Sequence, residues 1–245
     1  MKFEVIILCA IMFSFSCGQA SKKHAVTNSI TVESKSKNPD DLVRSDEVIL
    51  EKFFSDLNND GMEDCVIITK QTKKEAFVTD EYRGELDRNR RGILIAFKDS
   101  TENYNTVLAI PDCFSSENED GGVYFPPELG VGTRRGNLII GYGHGRYGSW
   151  EYVFRYRNKN FELIGYDQSN NRGPITESRI SINFLTKKKQ TLVNTNPNIP
   201  DDDSDYEEVF EETWKDIVIE NLVKLSDIKD FGMFEVSKHY IEKER

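Results

Sequence analysis

The chain has 245 residues and a formal net charge of −10, with 42 acidic against 32 basic side chains. This balance argues against nucleic acid as a partner, because nucleic-acid-binding proteins need a basic face for the phosphates. Hydrophobic residues make up 38% of the chain, which is enough for a globular core, and beyond the N-terminus no apolar stretch approaches the length of a membrane span. We therefore expect the body of the protein to lie in water.

The N-terminal residues are typical of a secretory signal peptide. Lys2 supplies a positive start, and residues 5–15 form an apolar run that is too short to anchor the chain in a bilayer. The run ends at Ser16 and Cys17. Here the chain resembles bacterial lipoproteins, which implies a lipid on Cys17 and a place in the cell envelope, at the outer membrane or on the periplasmic face. The alternative is cleavage after Ala20 and plain secretion.

We divide the chain into a signal peptide (1–16), a flexible tether (17–45) and a single β-rich domain (46–245). The tether is rich in Ser, Lys, Asn and Asp, and it has too few large apolar residues to offset the entropy of ordering. Residues 196–212 crowd acidic side chains together with no compensating base. They predict a disordered, solvated acidic loop within the domain.

Apolar residues recur at every second position through most of the domain, which predicts strands. The clearest strand is 150–157, and the polar residues 158–160 turn it into a second strand at 161–166 as a hairpin. A similar alternation over 180–194 predicts another hairpin, and 234–244 is the one candidate for a short helix. The expected fold is mainly β, with antiparallel sheets in a propeller-blade-like or sandwich-like arrangement and few short helices.

Residues 56–64 carry the most specific motif, in which oxygen-bearing side chains alternate around a glycine. Calcium prefers six to eight oxygen ligands, but an EF-hand is excluded because Ile67 stands where its final glutamate is required. The spacing resembles the calcium loops of FG-GAP and VCBS propeller repeats. The ligands which that resemblance implies are the side chains of Asp56, Asn58, Asp60 and Asp64 and the backbone carbonyl of Met62. The alternative is a polar turn without a metal ion.

This loop occurs once in the chain, whereas propellers carry many such repeats, so we do not expect a full propeller. Residues 48–220 also resemble small bacterial envelope proteins that combine such a loop with an aromatic strand and a later hairpin. That likeness implies no particular activity. We expect a bound calcium ion to be structural, pinning a strand–loop–strand corner.

Two cysteines remain in the domain after processing, Cys65 and Cys113. In an oxidising envelope they could form a disulfide. They could equally be two buried thiols, since cysteine packs as a small hydrophobic residue. The sequence leaves both alternatives open.

A glycine-rich stretch around residues 143–148 formally matches a dinucleotide-binding motif, but a strand follows it where that motif requires a helix. Its aromatic and basic residues could line a ligand surface through stacking and hydrogen bonds. The candidates are Tyr142, His144, Arg146, Tyr147 and Trp150. The alternative, which we favour, is a bulged loop whose aromatic side chains pack on the core.

The usual catalytic motifs are missing from the sequence: it contains no nucleophile elbow, no H-E-x-x-H and no P-loop. We therefore expect a lipid-anchored, non-enzymatic binding or assembly module that recognises a protein or a glycan. The alternative is a hydrolase acting on an envelope polymer or glycan, because the many acidic residues could include a catalytic carboxylate pair. A structural accessory subunit of a larger envelope complex is the third hypothesis.

Overall fold

The computed structural model describes residues 34–119, 125–196 and 207–243. The predicted signal peptide, the lipidation site at Cys17 and the centre of the predicted acidic loop lie outside these ranges, so they stay predictions. Within the ranges, no helix is both long enough and apolar enough to cross a membrane.

Regular structure in the described residues is almost entirely extended. The first strands are β1 (Lys35–Ser36), β2 (Glu47–Ser55), β3 (Asp64–Gln71), β4 (Phe77–Asp80), β5 (Gly84–Asp87), β6 (Arg91–Lys98) and β7 (Tyr104–Phe114). They are followed by β8 (Glu128–Arg134), β9 (Asn137–Gly143), β10 (Gly148–Arg157), β11 (Asn160–Arg172), β12 (Ile175–Asn183), β13 (Lys188–Asn194), β14 (Phe210–Val218) and β15 (Ile241–Glu242). The helical elements are 3₁₀ turns at Pro39–Leu42, Lys74–Ala76, Gly145–Tyr147, Leu225–Asp227 and Val236–His239. The prediction of a mainly β chain with few short helices is confirmed.

These strands form two large antiparallel sheets. The five-stranded sheet has the order β1-β7-β6-β3-β2, and the eight-stranded sheet has the order β15-β14-β13-β12-β11-β10-β9-β8. The short strands β4 and β5 pair separately. Buried side chains of both large sheets belong to one apolar cluster, so the sheets pack face to face. Of the two predicted arrangements, the sandwich-like one is observed.

Two-residue turns set the register of the eight-stranded sheet. In the β10–β11 hairpin, Arg157 pairs with Asn160, and Asn158 and Lys159 between them have φ of 50° and 60°. The β8–β9 turn (135–136) also has positive φ at both residues. This is the mark of a type I′ turn, whose twist matches that of the paired strands. The hairpin predicted at 150–166 is confirmed.

The main core lies between the two large sheets. Val66 of β3, Ile95 of β6 and Phe154 of β10 are all 0% exposed. Phe231, from the segment that follows β14, closes this core, and its ring centroid lies 5.2 Å from that of Tyr152. Aromatic rings at this separation stabilise beyond the area they bury. The C-terminal segment is therefore an integral part of the core.

The five-stranded sheet is covered on its outer face as well. Ile67 of β3 and Leu94 of β6 form a second buried cluster, which Leu42 and Val43 cover from the 3₁₀ turn and the residue after it. Residues 34–45, which the sequence analysis assigned to the tether, are thus part of the folded domain, and that part of the prediction is wrong. Two apolar residues are enough to cover a small patch of sheet, although the surrounding composition is polar.

Two predicted boundaries near the C-terminus also change. The strand β14 begins at Phe210, which pairs with Asn194, so the last residues of the predicted acidic loop 196–212 belong to the sheet. Most of β14 is exposed to solvent, and an exposed strand tolerates such charged side chains. The helix predicted over 234–244 is wrong, because a 3₁₀ turn at Val236–His239 leads directly into β15, which pairs with β14.

Candidate functional site

The predicted calcium loop is a compact turn between β2 and β3, and its own side chains hold it together. The Asp56 carboxylate accepts hydrogen bonds from the backbone N–H groups of Asp60 (3.2 Å) and Gly61 (3.0 Å). Asn58 Oδ1 accepts a further bond from Asp60 N–H (2.9 Å), and Asp60 Oδ1 accepts one from Met62 N–H (2.8 Å). The motif residues therefore satisfy the backbone of the loop, as Asp and Asn do in polar turns.

Asp64, the ninth residue of the motif, has a different role. It is the first residue of β3 and is fully buried, and its carboxylate accepts hydrogen bonds from the N–H groups of Leu57 (2.9 Å) and Lys98 (3.2 Å). Burial raises the pKa of Asp64 to about 6, the two amides oppose this rise, and the charges of Asp60 and Asp56 add to it. Asp64 thus ties the loop to β6.

The donor atoms and the geometry of the loop give different indications about a metal ion. Carboxylate and amide oxygens are the ligands that calcium prefers, and Asp56 and Asp60 lie within electrostatic range of Asp64. Nevertheless, the described part of the chain contains no group of three or more His, Cys, Asp or Glu side chains arranged to hold a metal ion. The loop has suitable donors without their convergence on one point, so calcium binding stays a prediction from the motif.

Cys65 and Cys113 are free thiols, and both are buried. Cys65 packs in the outer cluster of the five-stranded sheet, whereas Cys113 belongs to the main core between the sheets. Burial raises the pKa of Cys65 to about 12 and raises that of Cys113 as well. Of the two alternatives left open by the sequence, the structure has the buried thiols, and the disulfide is not formed.

The five residues of the predicted ligand surface separate into two groups. Tyr142 and Trp150 stack with ring centroids 5.4 Å apart, and Tyr142 is only 7% exposed within the main core. His144, Arg146 and Tyr147 lie on or beside the 3₁₀ turn, where Arg146 and Tyr147 are exposed. The prediction of one continuous ligand surface is therefore wrong, because strand alternation turns the aromatic pair into the core.

A trough of about 720 Å³ crosses the outer face of the eight-stranded sheet, away from the core. The register aligns one row of residues directly opposite one another across six strands, β8 to β13. They are Gly130, Gly141, Glu151, Asp167, Ser181 and Gln190. Their chain neighbours, such as Tyr142 and Trp150, point into the core because alternate residues of a strand face opposite sides. The trough consists of the strand positions that the core does not use.

Two carboxylates face each other in the middle of the trough. Glu151 and Asp167 are directly opposite on β10 and β11, and like charges in such positions destabilise a sheet. Arg134 forms an ion pair with Glu151. No hydrogen bond or ion pair from the described residues engages the Asp167 side chain. The structural role of Asp167 is thus unfavourable, and its acceptor oxygens are available to a ligand.

The sequence analysis did not select the trough, although one signal for it was present. Glycines alternate at Gly130 and Gly132 in β8 and at Gly141 and Gly143 in β9, where strands rarely accept them without a reason. A Cβ added at Gly130 or Gly143 would meet no atom within 4 Å, so close packing does not require these glycines. Which face they occupy could not be read from the chain, because that depends on which face the other sheet covers.

For the metal prediction, we expect Asp60→Asn to abolish stabilisation by calcium and to leave stability in chelator unchanged. The amide keeps an acceptor for Met62 N–H but loses the charge. For the unsubstituted protein, calcium at a hundredfold excess over its Kd should add about 2.7 kcal/mol, measured calorimetrically as a rise in Tm. Asp60→Ala should also lower the Tm in chelator, because the bond to Met62 is lost. Equal Tm of the unsubstituted protein in calcium and chelator would contradict the prediction.

For Asp64, we expect a pH-dependent contribution to stability in chelator. Because its pKa is raised to about 6, the folded protein binds this proton more tightly than the unfolded chain does. The contribution is fully present below about pH 4 and is lost as the pH rises through about 6. The free energy of unfolding relative to Asp64→Asn, measured in urea at constant ionic strength, should fall over this window. A difference that stays flat or rises would show that the pKa is not raised.

No protein-family model, curated protein or solved structure matches the chain. The resemblance to propeller calcium loops rests on residues 56–64 themselves. What the loop and the trough can do follows from their own geometry.

Proposed function

We propose that the protein is a non-enzymatic binding module of the bacterial cell envelope, held at a membrane surface by a lipid on Cys17. Its ligand-binding site is the trough on the outer face of the eight-stranded sheet. The observation that carries this proposal is the trough itself, whose volume of about 720 Å³ falls in the range of protein ligand sites. Polar groups line it on a sheet whose other face already holds the core.

The lining of the trough favours binding over catalysis. Its described residues supply carboxylate, hydroxyl, amide and guanidinium groups, but no histidine, cysteine or lysine. The common nucleophile–base pairs of covalent catalysis cannot be assembled from this set. The domain thiols, Cys65 and Cys113, are buried elsewhere.

One observation favours the second candidate, a hydrolase acting on an envelope glycan. Glu151 and Asp167 lie directly opposite each other in the trough, and glycoside hydrolases use two carboxylates that flank the bond to be cleaved. Against this, the ion pair with Arg134 occupies the carboxylate of Glu151 that would have to exchange a proton or attack the sugar. Binding is therefore the better-supported function.

Calcium has a structural role in this proposal. The acidic loop lies against the β8–β9 turn, since a Cβ at Gly136 would lie 3.5 Å from Asn59 Oδ1 and 3.6 Å from the carbonyl oxygen of Asp56. The strand β8 forms one wall of the trough. An ion held by the loop would stiffen the turn that carries this wall.

Filling the trough should abolish ligand binding. Gly130 lines the trough, and its position accepts a side chain without a clash. Gly132, on the same face of β8, is equally open but lies outside the trough, so it provides a matched control. We expect the purified protein with Cys17→Ser to co-sediment saturably with envelope material of the producing cell. Gly130→Trp should weaken this binding at least about tenfold, or about 1.4 kcal/mol, and Gly132→Trp should change it little.

Three outcomes of this experiment would count against the proposal. Unchanged binding by Gly130→Trp would remove the trough as the ligand site. Equal loss in Gly130→Trp and Gly132→Trp would attribute the effect to the fold. Release of soluble sugar fragments over time, lost in Asp167→Asn, would favour the hydrolase.

A further inference from the structure

We infer that the trough binds a neutral, polyhydroxylated chain, an oligosaccharide, which lies across strands β8 to β13. This inference rests on the proposed function, because it names the ligand class for the same site. The free polar groups, the bare floor, the charge of the lining and an exposed tryptophan at one end each support it.

The free side chains of the trough match the hydrogen-bonding needs of sugar hydroxyls. Asp167 offers two acceptor oxygens, and the hydroxyls of Ser149 and Ser181 can each donate and accept. No other described side chain engages these three groups. A sugar hydroxyl also donates and accepts, so adjacent hydroxyls of one ring can bond a carboxylate and a serine together. A peptide strand would instead need the free backbone groups of a sheet edge, which the face of a sheet does not offer.

Glycines leave the floor of the trough bare. Gly130, Gly141 and Gly143 lie side by side on β8 and β9, and the positions of Gly130 and Gly143 have open space beyond them. Glycine weakens a strand, and it often marks a place where a ligand approaches the backbone closely. A flat sugar ring fits such a floor, whereas a branched side chain would lift it away.

The charge of the lining narrows the ligand class further. Glu128, Glu151 and Asp167 are acidic, and the chain as a whole carries a net charge of −10. The cationic residue of the lining is Arg179, whose guanidinium lies 5.2 Å from the centroid of the Phe210 ring. An anionic polymer would be repelled along most of the trough. The ligand is therefore a neutral chain.

Trp214 extends the same row of residues beyond the trough. It pairs with Gln190 across β13 and β14 and is 48% exposed. Its Nε1 donates to Glu212 Oε1 (2.7 Å), which also accepts from Gln190 Nε2 (2.5 Å). The indole is thus held on the trough side of the sheet with part of its surface free. An aromatic ring with one wet side can pack against the C–H face of a sugar.

The experiment uses cellohexaose, maltohexaose, laminarihexaose and chitohexaose with the purified full chain. The chain has two tryptophans, so Trp150→Phe keeps an aromatic ring on Tyr142 and leaves Trp214 as the only indole fluorophore. We expect at least one hexaose to change this fluorescence saturably, with a Kd below about 1 mM. Asp167→Ala should weaken binding at least about tenfold, and Asp167→Asn less than about threefold, because an amide still bonds hydroxyls.

The outcomes separate the ligand class from the proposed function. Failure of all four hexaoses at about 10 mM, with trough-dependent binding to envelope material intact, would overturn the glycan inference alone. Loss of that trough dependence as well would overturn both. Salt-dependent binding of a nonalysine peptide, lost equally in Asp167→Asn and Asp167→Ala, would also overturn the inference, because the trough would then recognise positive charge.

Discussion

Each strand of the eight-stranded sheet has two faces, and only one of them can be buried against the five-stranded sheet. In β10, Tyr152 and Phe154 point into the core, while Glu151 and Ser149 point outward. A slip of one residue would bury Glu151 and expose Phe154, so the apolar side chains fix the register. The same alternation therefore stabilises the domain and aligns the polar side chains of the trough.

Short turns carry this alignment across the sheet. Because chain neighbours from β8 to β14 are also sheet neighbours, each hairpin passes its register to the next strand. Gly130 and Gln190 are distant in the chain, yet they end in one row across six strands. A binding site spread over so many strands has no local motif, and it is built by register alone.

This difference explains what the sequence could predict. Alternation over 150–166 and the polar residues between its strands act locally, so the hairpin was predictable. The burial of Leu42 and the separation of Cys65 from Cys113 depend on which sheet face each residue meets in the folded chain. The motif at 56–64 identified the donor atoms of a loop. Their convergence on a metal ion depends on backbone geometry, which turned Asp64 toward two backbone amides.

The account's central claim is that ligands contact the outer face of the eight-stranded sheet. The most direct measurement is site-specific photocrosslinking in the producing cell, with a benzophenone amino acid that inserts into C–H bonds of any ligand class. It would be placed at Ser149 in the trough or at Thr186, which is exposed in the β12–β13 turn. The account predicts a crosslinked adduct at Ser149 and none at Thr186. An adduct at Thr186 alone, or none at either position, would contradict it.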